Sequence, residues 1–350
     1  MNYNRILLFV ALAMPVFVMT SCKEKEKEAE VLPSISSTLG FNVQSFVLPG
    51  QKLEIEPLGL ENETMDIGYY WTASPIRTAR DTTRCLGDPA SVTGKYSFVV
   101  PDTLCTITFS CGAFAEGYTT KTATRTSMIV NPGLGKSITD DGIGEGDEIF
   151  TDPRDGKEYY YRTIGGREWF VRNLSYAQSG ASYYDCPALD DIFGRYYSWN
   201  EAVVACPDGW RLPTDEDWLS MVKYAGYSGN NPATDFLGAA GSIMVDAKFN
   251  GTRMWEYNPE VKITNRTGFC ALPTGYVSAA NAGNRYHGEM EYAVWWTSET
   301  ERIEGDEAER GVYRMINVKK PDIMRGNTHK TGFLATVRCV RNPGADDDEL

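Results

Sequence analysis

Apolar and polar residues alternate along much of the first third of the chain, which is the pattern of β-strands that bury one face. In the sequence LEIEPL, for example, Leu53 and Ile55 are separated by glutamates. The same period of two recurs in GYYWTAS, KYSFVV, CTITFSC and TTKTATRTSMIV, with turn residues between these segments. This spacing predicts an all-β, immunoglobulin-like sandwich over residues 33–132, with Trp71 in its core.

Helical periodicity begins near residue 198. Ser198 and Glu201 are spaced as a capping box, and an apolar stripe follows them at helical spacing. Thr214 and Asp217 repeat this arrangement ahead of a second stripe. Further on, YAVWWTSE, RGVYRMINV and TGFLATVRCV have the character of strands. Two helices beside a small antiparallel sheet predict an α+β domain over residues 150–343. Its core is predicted to include Trp199, Trp210, Trp218, Trp295 and Trp296.

A glycine-rich, acidic segment separates the two predicted domains. It contains five glycines, five acidic side chains and no apolar periodicity between residues 131 and 148. We therefore predict a linker or an exposed loop over residues 133–149. Its carboxylates do not have the spacing of an EF-hand loop, so we assign no metal site to them. The acidic residues 344–350 are predicted to form a disordered tail.

The chain begins with the features of a secretory leader. Arg5 precedes an apolar run of about 14 residues, which is shorter than the roughly 20 that a bilayer-spanning helix needs. We predict a cleaved signal peptide over residues 1–21. The sequence Met-Thr-Ser-Cys ending at Cys22 resembles a bacterial lipobox, with Met where Leu is usual, and this implies lipidation of Cys22. The charged residues 22–32 are then predicted to form a tether, and the lipid anchor is predicted to attach the chain to a membrane.

This leader predicts a lipoprotein of the outer membrane or cell surface of a Gram-negative bacterium. The alternative is an ordinary secreted protein in which Cys22 is incidental. In both cases the chain enters an oxidising compartment, where cysteines more often form disulfides than act as catalytic thiolates.

In the β domain, the strand before Cys85 should end beside the strand that starts at Cys105, so we predict a disulfide between Cys85 and Cys105. Cys111 is then a buried free thiol, and the alternative pairing of Cys85 with Cys111 stays open.

Composition excludes several classes of function. The chain carries 34 basic and 47 acidic side chains, a net charge of −13, so nucleic acid is not expected as a partner. Two histidines leave little material for histidine-based catalysis or zinc ligation. The sequence holds no P-loop, no G-x-S-x-G elbow and no H-E-x-x-H motif. We predict no enzymatic activity and no cofactor.

Six motifs in the C-terminal half occur in a recognisable order. They are DGKEYYYRTIGGREWFVRNL, FGRYYSWNEA, CPDGWRLPTDEDW, TGFCALPTGY, VWWTSE and GFLATVRCVRN. This series resembles the FISUMP (Fibrobacter succinogenes major paralogous) domain family, over about 190 residues. The resemblance implies a fold similar to C-type lectins and formylglycine-generating enzymes, without implying a reaction. The N-terminal stretch is similar to the Ig-like or PKD-like modules of bacterial surface lipoproteins, which usually act as spacers.

The FISUMP resemblance also implies a disulfide. The paired cysteines of the family fall on Cys206 and Cys339 of this chain. Cys186 and Cys270 are departures from the family pattern, and two extra cysteines in one domain most simply form a second bond. We therefore predict a disulfide between Cys186 and Cys270, because a reactive pair would lack the close spacing of redox sites.

The same resemblance places a ligand site in the long loop region, roughly residues 227–291. Aromatic rings and amides there suit a glycan, and the candidate binding residues are Trp255, Tyr257, Asn281, Asn284, Tyr286 and His287. The calcium-site signatures of true lectins are absent from the sequence. We predict a non-catalytic, surface-exposed protein that binds an extracellular ligand, such as a glycan, through the C-terminal domain. The alternative is a structural or adhesion component of the envelope, or of a fimbria-like assembly, that acts through protein–protein contacts.

Overall fold

The computed structural model describes residues 31–75, 94–131, 137–144, 146–278, 285–288 and 290–344. The predicted signal peptide, Cys22, Cys85, Asn281, Asn284 and the last six residues of the tail lie outside the described residues. The described chain is mostly β, with a few short helices. Within these described ranges, no helix is long and apolar enough to span a membrane.

The N-terminal region is built from short and long strands in the predicted places. They are β1 (Gly40–Phe41), β2 (Phe46–Val47), β3 (Lys52–Ile55), β4 (Pro57–Leu58), β5 (Gly68–Ser74), β6 (Tyr96–Val99), β7 (Thr106–Phe114) and β8 (Lys121–Ile129). One sheet has the order β2-β8-β7-β5, and β3 pairs with β6 in a second sheet. The alternation read from the sequence is confirmed in β3, where Leu53 and Ile55 are buried and the polar residues are exposed.

Trp71 lies at the centre of the N-terminal core, as predicted. Its ring stacks on Tyr96 with 5.6 Å between the ring centroids. Its indole nitrogen donates a hydrogen bond to the carbonyl oxygen of Gly94 at 2.7 Å, so the one polar atom of this buried ring is satisfied. Cys111 is a buried free thiol on β7, also as predicted. Cys105 is likewise a free thiol. The predicted bond from Cys105 to Cys85 involves a residue outside the described part of the chain.

The segment predicted as a linker is instead attached to the C-terminal domain. Its strand β9 (Ile138–Thr139) pairs with a strand of that domain at Lys248 and Phe249. Ile138 is 2% exposed and Ile143 packs against the same apolar cluster, so these two side chains anchor an otherwise polar segment. The acidic residues that suggested solvation form ion pairs with basic residues of the domain, such as Asp147 with Arg162 at 2.6 Å.

The C-terminal domain continues with short strands and helices. The strands are β10 (Glu148–Thr151), β11 (Glu158–Ile164), β12 (Arg167–Phe170), β13 (Lys248–Phe249), β14 (Thr252–Arg253), β15 (Tyr276–Ser278), β16 (Tyr286–His287), β17 (Tyr292–Glu301), β18 (Arg310–Asn317), β19 (Met324–His329), β20 (Phe333–Leu334) and β21 (Val340–Arg341). The helices are α1 (Asp190–Phe193), α2 (Trp199–Ala202), α3 (Asp215–Tyr224) and α4 (Ala240–Ile243), preceded by 3₁₀ turns at Tyr183–Asp185 and Pro187–Leu189.

Four small sheets organise these strands. Their orders are β10-β11-β12-β21, β14-β13-β9, β16-β15-β20 and β17-β18-β19. Both predicted capping boxes are present, at Ser198 with Glu201 and at Thr214 with Asp217. The helix capped by Ser198, α2, is only one turn long, however. Val203, which was predicted to lie on its apolar face, is 40% exposed. Beyond Ala202 the backbone continues in 3₁₀-type turns, so the predicted helical stripe ends there.

The tryptophans predicted as core residues are nearly all buried. Trp218, Trp295 and Trp296 have no exposed surface, and Trp210 is 6% exposed. Trp199 is the exception, because it packs at the margin of a core cluster with part of its ring open to solvent. Its ring lies on Gly311, where a side chain would collide with it.

The disulfide between Cys206 and Cys339 is present, joining the end of the α2 segment to the last part of the chain. The predicted second bond is wrong, since Cys186 and Cys270 are both buried free thiols. Cys270 instead makes hydrogen bonds within its own loop: its sulfur accepts from the Asn265 amide at 3.3 Å and donates to the Gly268 carbonyl oxygen at 3.2 Å. Counting the unpaired cysteines of one domain does not reveal where each sulfur points.

The two halves of the chain share an apolar contact. Phe46 of β2 is 1% exposed and lies among rings of the C-terminal domain, 5.5 Å from the centroids of Tyr183 and of Tyr184. Beside it, the Asn250 side-chain amide donates to the carbonyl oxygen of Ile129 at 2.7 Å. The N-terminal sheet therefore packs directly on the C-terminal domain.

Candidate functional site

The four predicted ligand residues of the loop region that the structure describes do not form one site. Trp255 is fully buried, and its indole nitrogen donates to the carbonyl oxygen of Ala271 at 3.1 Å. Its assignment as an exposed binding residue is therefore wrong, because its large apolar ring fills the core. Tyr257 is 78% exposed. Tyr286 stacks on Tyr184 at 4.4 Å between centroids, so one face of its ring is covered.

His287 belongs to a row of half-buried rings at the surface. It stacks on Tyr276 at 5.4 Å, Tyr276 stacks on Phe333 at 5.1 Å, and Phe333 stacks on Tyr313 at 5.5 Å. The register explains the row, since Tyr276 and His287 lie directly opposite each other on neighbouring strands. Because each ring faces the next, the ring faces that a sugar would stack on are largely occupied by neighbouring rings.

A cleft of about 610 Å³ lies elsewhere, between the start of β11 and the segment that precedes β10. This volume is within the range of roughly 300–1,000 Å³ that is typical of ligand sites. The described residues that line it are Asp141, Ile143, Gly144, Gly156, Lys157, Glu158, Tyr159, Tyr160, Arg172, Ser175 and Asp191. We call it the β11 cleft.

One side of the β11 cleft is a hydrogen-bonded polar cluster. The ammonium group of Lys157 donates to Asp191 at 2.7 Å and to the hydroxyl and carbonyl oxygens of Ser175 at 3.0 and 3.1 Å. The Ser175 hydroxyl also lies 3.2 Å from the phenol oxygen of Tyr159. Burial raises the pKa of Tyr159 to about 12, so its phenol is protonated at neutral pH. Each polar group is held in place by its neighbours.

The opposite side of the β11 cleft is closed by an ion pair. Arg172 binds Asp141, and its guanidinium also donates to the carbonyl oxygen of Ile192 at 3.1 Å. The Arg172 side chain is 11% exposed, which makes it the most buried charge of the cleft. Desolvation by burial lowers the pKa of Arg172, while the carboxylate of Asp141 acts against that shift. Asp141 comes from the segment predicted as a linker, so that segment forms a wall of the cleft.

An apolar surface accompanies these polar groups. Tyr160 lines the β11 cleft with a partly exposed ring, and Ile143 lies on the neighbouring wall. Ile149 of β10 lies directly opposite Tyr160 in the sheet and is 50% exposed. Directly opposite residues place their side chains on the same face, so Tyr160 and Ile149 form a continuous apolar surface at the cleft.

Two buried thiols and two adjacent carboxylates lack the ionisation state or the placement that catalysis would need. Burial raises the pKa of Cys111 to about 12 and that of Cys186 to about 11, so neither thiol is a nucleophilic thiolate at neutral pH. Asp190 and Asp191, the adjacent acids, have different partners. Asp190 is buried against Arg195, whereas Asp191 pairs with Lys157 at the cleft, so the two carboxylates do not act on one bond.

Sequence reasoning missed the β11 cleft because its residues are spread over the chain. They come from the predicted linker, from β11, from the loop after β12 and from α1. A signal existed in the alternation of β11, EYYYRTI, where Tyr159 and Tyr161 are buried while Tyr160 between them points to the other face.

A family model described as the Fibrobacter succinogenes major domain matches residues 163–341. The match begins within β11, so the wall of the β11 cleft that comes from residues 141–144 lies before it. The comparison with curated proteins found no match. The comparison with solved structures also found none.

Proposed function

This chain belongs to the Fibrobacter succinogenes major domain family, and from that premise we propose that it is a non-catalytic cell-envelope lipoprotein that binds an extracellular ligand. The ligand site is the β11 cleft of the C-terminal domain. The observation that carries the proposal is a concave site of about 610 Å³ that is lined by hydrogen-bonded polar groups and by a partly exposed aromatic ring. Sites of this kind bind small molecules or the ends of longer chains.

The chemistry of the β11 cleft favours a glycan. A sugar ring presents hydroxyl groups around its edge and a patch of C–H groups on its face. Asp191 provides a carboxylate acceptor for sugar hydroxyl groups, and its position is already determined by hydrogen bonds from Lys157 and Ser175. Tyr160 and Ile149 provide the apolar surface beside them. Preorganised groups reduce the entropy that is lost when a flexible ligand binds.

The proposal also assigns a fold to each of the two domains. The N-terminal region is an immunoglobulin-like spacer, supported by its two sheets packed around Trp71. The C-terminal domain is a C-type-lectin-like domain, supported by the order of the sequence motifs and by the disulfide from Cys206 to Cys339. Lipidation at Cys22 anchors the chain at the outer membrane, and the spacer holds the cleft away from the lipid surface.

The second candidate is a structural role in the envelope through protein contacts. The buried contact of Phe46 with the C-terminal domain favours it, because domains that pack on each other can bear load as one body. In that case the β11 cleft would have no sugar ligand, and envelope proteins would be the partners.

A glycan array separates these candidates. The full-length protein, purified in detergent, is applied as wild type, as Tyr160→Ala and as Tyr257→Ala. Loss of the Tyr160 ring is expected to weaken sugar binding by about fivefold, since an aromatic contact contributes on the order of 1 kcal/mol. Tyr257→Ala is the matched control, because Tyr257 is the most exposed of the described candidates of the loop region and lies outside the cleft.

Three outcomes decide the matter. Weakened binding in Tyr160→Ala alone supports the β11 cleft. Weakened binding in Tyr257→Ala alone returns the site to the loop region and rejects the cleft. Absence of any sugar signal, together with recovery of a specific envelope protein, favours the structural role.

A further inference from the structure

The charged hydrogen-bond donors of the β11 cleft already have partners. Lys157 makes three hydrogen bonds, which is the full capacity of an ammonium group. Arg172 donates to Asp141 and to the carbonyl oxygen of Ile192, and its side chain is only 11% exposed. A ligand that accepts hydrogen bonds would have to displace a partner of Lys157 or reach the remaining N–H groups of the buried guanidinium.

The acceptors of the β11 cleft, in contrast, have spare capacity. Asp191 is 58% exposed and uses only its Oδ1 atom, which accepts from Lys157 and from Ser175. Its Oδ2 atom has no hydrogen bond to a described residue. Glu158 is exposed on the wall of the cleft, and its carboxylate has no ion pair or hydrogen bond within the described part of the chain. Two carboxylate groups are therefore available to a ligand that donates.

The charges of the described lining residues lead to the same conclusion. Lys157 and Arg172 are outnumbered by Asp141, Asp191 and Glu158. Two of these carboxylates are neutralised by ion pairs, and the carboxylate of Glu158 is not. A second carboxylate brought in by a ligand would meet this uncompensated negative charge, and like charges at short range oppose binding.

We infer that the β11 cleft binds neutral or amino-bearing glycans and discriminates against acidic ones, with Asp191 and Glu158 as the residues that determine this specificity. The inference rests on the proposed function and adds the class of ligand to it. Hydroxyl or ammonium groups of the sugar donate to Asp191 Oδ2 and to Glu158, while the ring packs against Tyr160. Uronic acids and sulfated sugars lack favourable partners there.

Matched sugars test the inference on the full-length protein in detergent. β-1,4-linked tetrasaccharides of mannose and of mannuronic acid differ only in the oxidation state of C6. The corresponding tetrasaccharides of glucose and of glucosamine differ only by an amine at C2. The neutral sugars are expected to bind about tenfold more tightly than mannuronate, and the glucosamine sugar at least as tightly as the glucose sugar.

Two variants test the assigned residues. Glu158→Gln keeps the shape and removes the uncompensated charge, so the discrimination against mannuronate is expected to fall several-fold. Asp191→Asn also weakens the attraction that holds Lys157, which frees an ammonium group for an acidic sugar, so mannuronate binding is expected to increase. At about 1 M salt the discrimination of the wild type should shrink, since the Debye length is then only about 3 Å.

Each result has one consequence. If no sugar binds here or on the array, the proposed function fails. If mannuronate binds as well as mannose, or better, the inference about ligand class fails while the proposed function stands. If the discrimination is present but unchanged in both variants, the assignment of Asp191 and Glu158 is overturned.

Discussion

The ring of Phe46, in the N-terminal sheet, lies 5.5 Å from the ring of Tyr183 in the C-terminal domain, with both side chains buried. Val130 and Ile138 belong to the same apolar cluster, as do Phe193 and Phe249 on the C-terminal side. The contact therefore continues the C-terminal core into the N-terminal region, and the two halves of the chain should unfold together.

Phe46→Ala tests this coupling. Removing a buried phenylalanine typically reduces the free energy of unfolding by about 3–5 kcal/mol, and here the loss also separates the two halves. We expect the variant to unfold in urea in two transitions where the wild type shows one. Phe98→Ala is the control, because Phe98 is buried in the N-terminal core alone, next to Phe109. A single transition in both variants would show that Phe46 does not couple the domains.

The disulfide from Cys206 to Cys339 closes a loop with a sequence separation of 133 residues. In the chain-entropy model, a loop of this length contributes about 4–5 kcal/mol to the free energy of unfolding. We expect Cys206→Ser with Cys339→Ser to lose most of this amount in urea titrations. Reductant should destabilise the wild type and leave the double variant unchanged.

Peptide mapping of unreduced protein provides the matching check on the other cysteines. Cys186 and Cys270 should be recovered as separate thiols, and Cys206 with Cys339 as one linked species. A linked pair of Cys186 and Cys270 would contradict the structure.

Asn173 satisfies two buried donors at once. Its Oδ1 atom accepts from Trp295 at 2.9 Å and from Arg338 at 3.0 Å. Arg338 is buried without a carboxylate partner among the described residues, and burial lowers its pKa. Asn173→Ala would leave both donors unsatisfied, at a cost of roughly 1–3 kcal/mol each.

Asn173→Asp is the informative comparison, because it keeps the acceptor and places a carboxylate beside Arg338. We expect the free energy of unfolding, measured in urea, to fall less in Asn173→Asp than in Asn173→Ala. Equal losses in the two variants would mean that the shape of Asn173, and not its acceptor oxygen, is what stabilises the domain.

Stability should fall at alkaline pH. Burial raises the pKa of Cys111 from about 9 in the unfolded chain to about 12 in the folded protein. The folded state therefore holds this proton more tightly, so the stabilisation is complete below pH 9 and is lost as the pH rises towards 12. In that window one such group changes the free energy of unfolding by about 1.4 kcal/mol per pH unit.

Urea titrations between pH 7 and pH 11 measure this dependence, with Cys111→Ala as the comparison. The variant removes the titrating group at a buried position and should lose stability less steeply above pH 9. The same slope in wild type and variant would show that other groups whose pKa burial raises, such as Cys186 and Tyr159, cause the alkaline loss.

Local patterns in the sequence were sufficient for the longer strands, for both capping boxes and for four of the five tryptophans predicted as core residues of the C-terminal domain. Leu53 and Ile55 are buried because alternation places them on one face, and Ser198 caps α2 because its oxygen reaches the amide of Glu201. The family and the disulfide from Cys206 to Cys339 followed from the order of the motifs.

The sequence by itself determined which faces are apolar, since side-chain periodicity depends only on neighbours along the chain. Only the tertiary structure decided that Trp255 fills the core, that Cys186 and Cys270 stay apart, and that Asp141 meets Arg172 to close the β11 cleft. These relations join residues from distant parts of the chain through backbone paths that local pattern does not specify. The physical reason is that burial and pairing depend on which surfaces meet after folding.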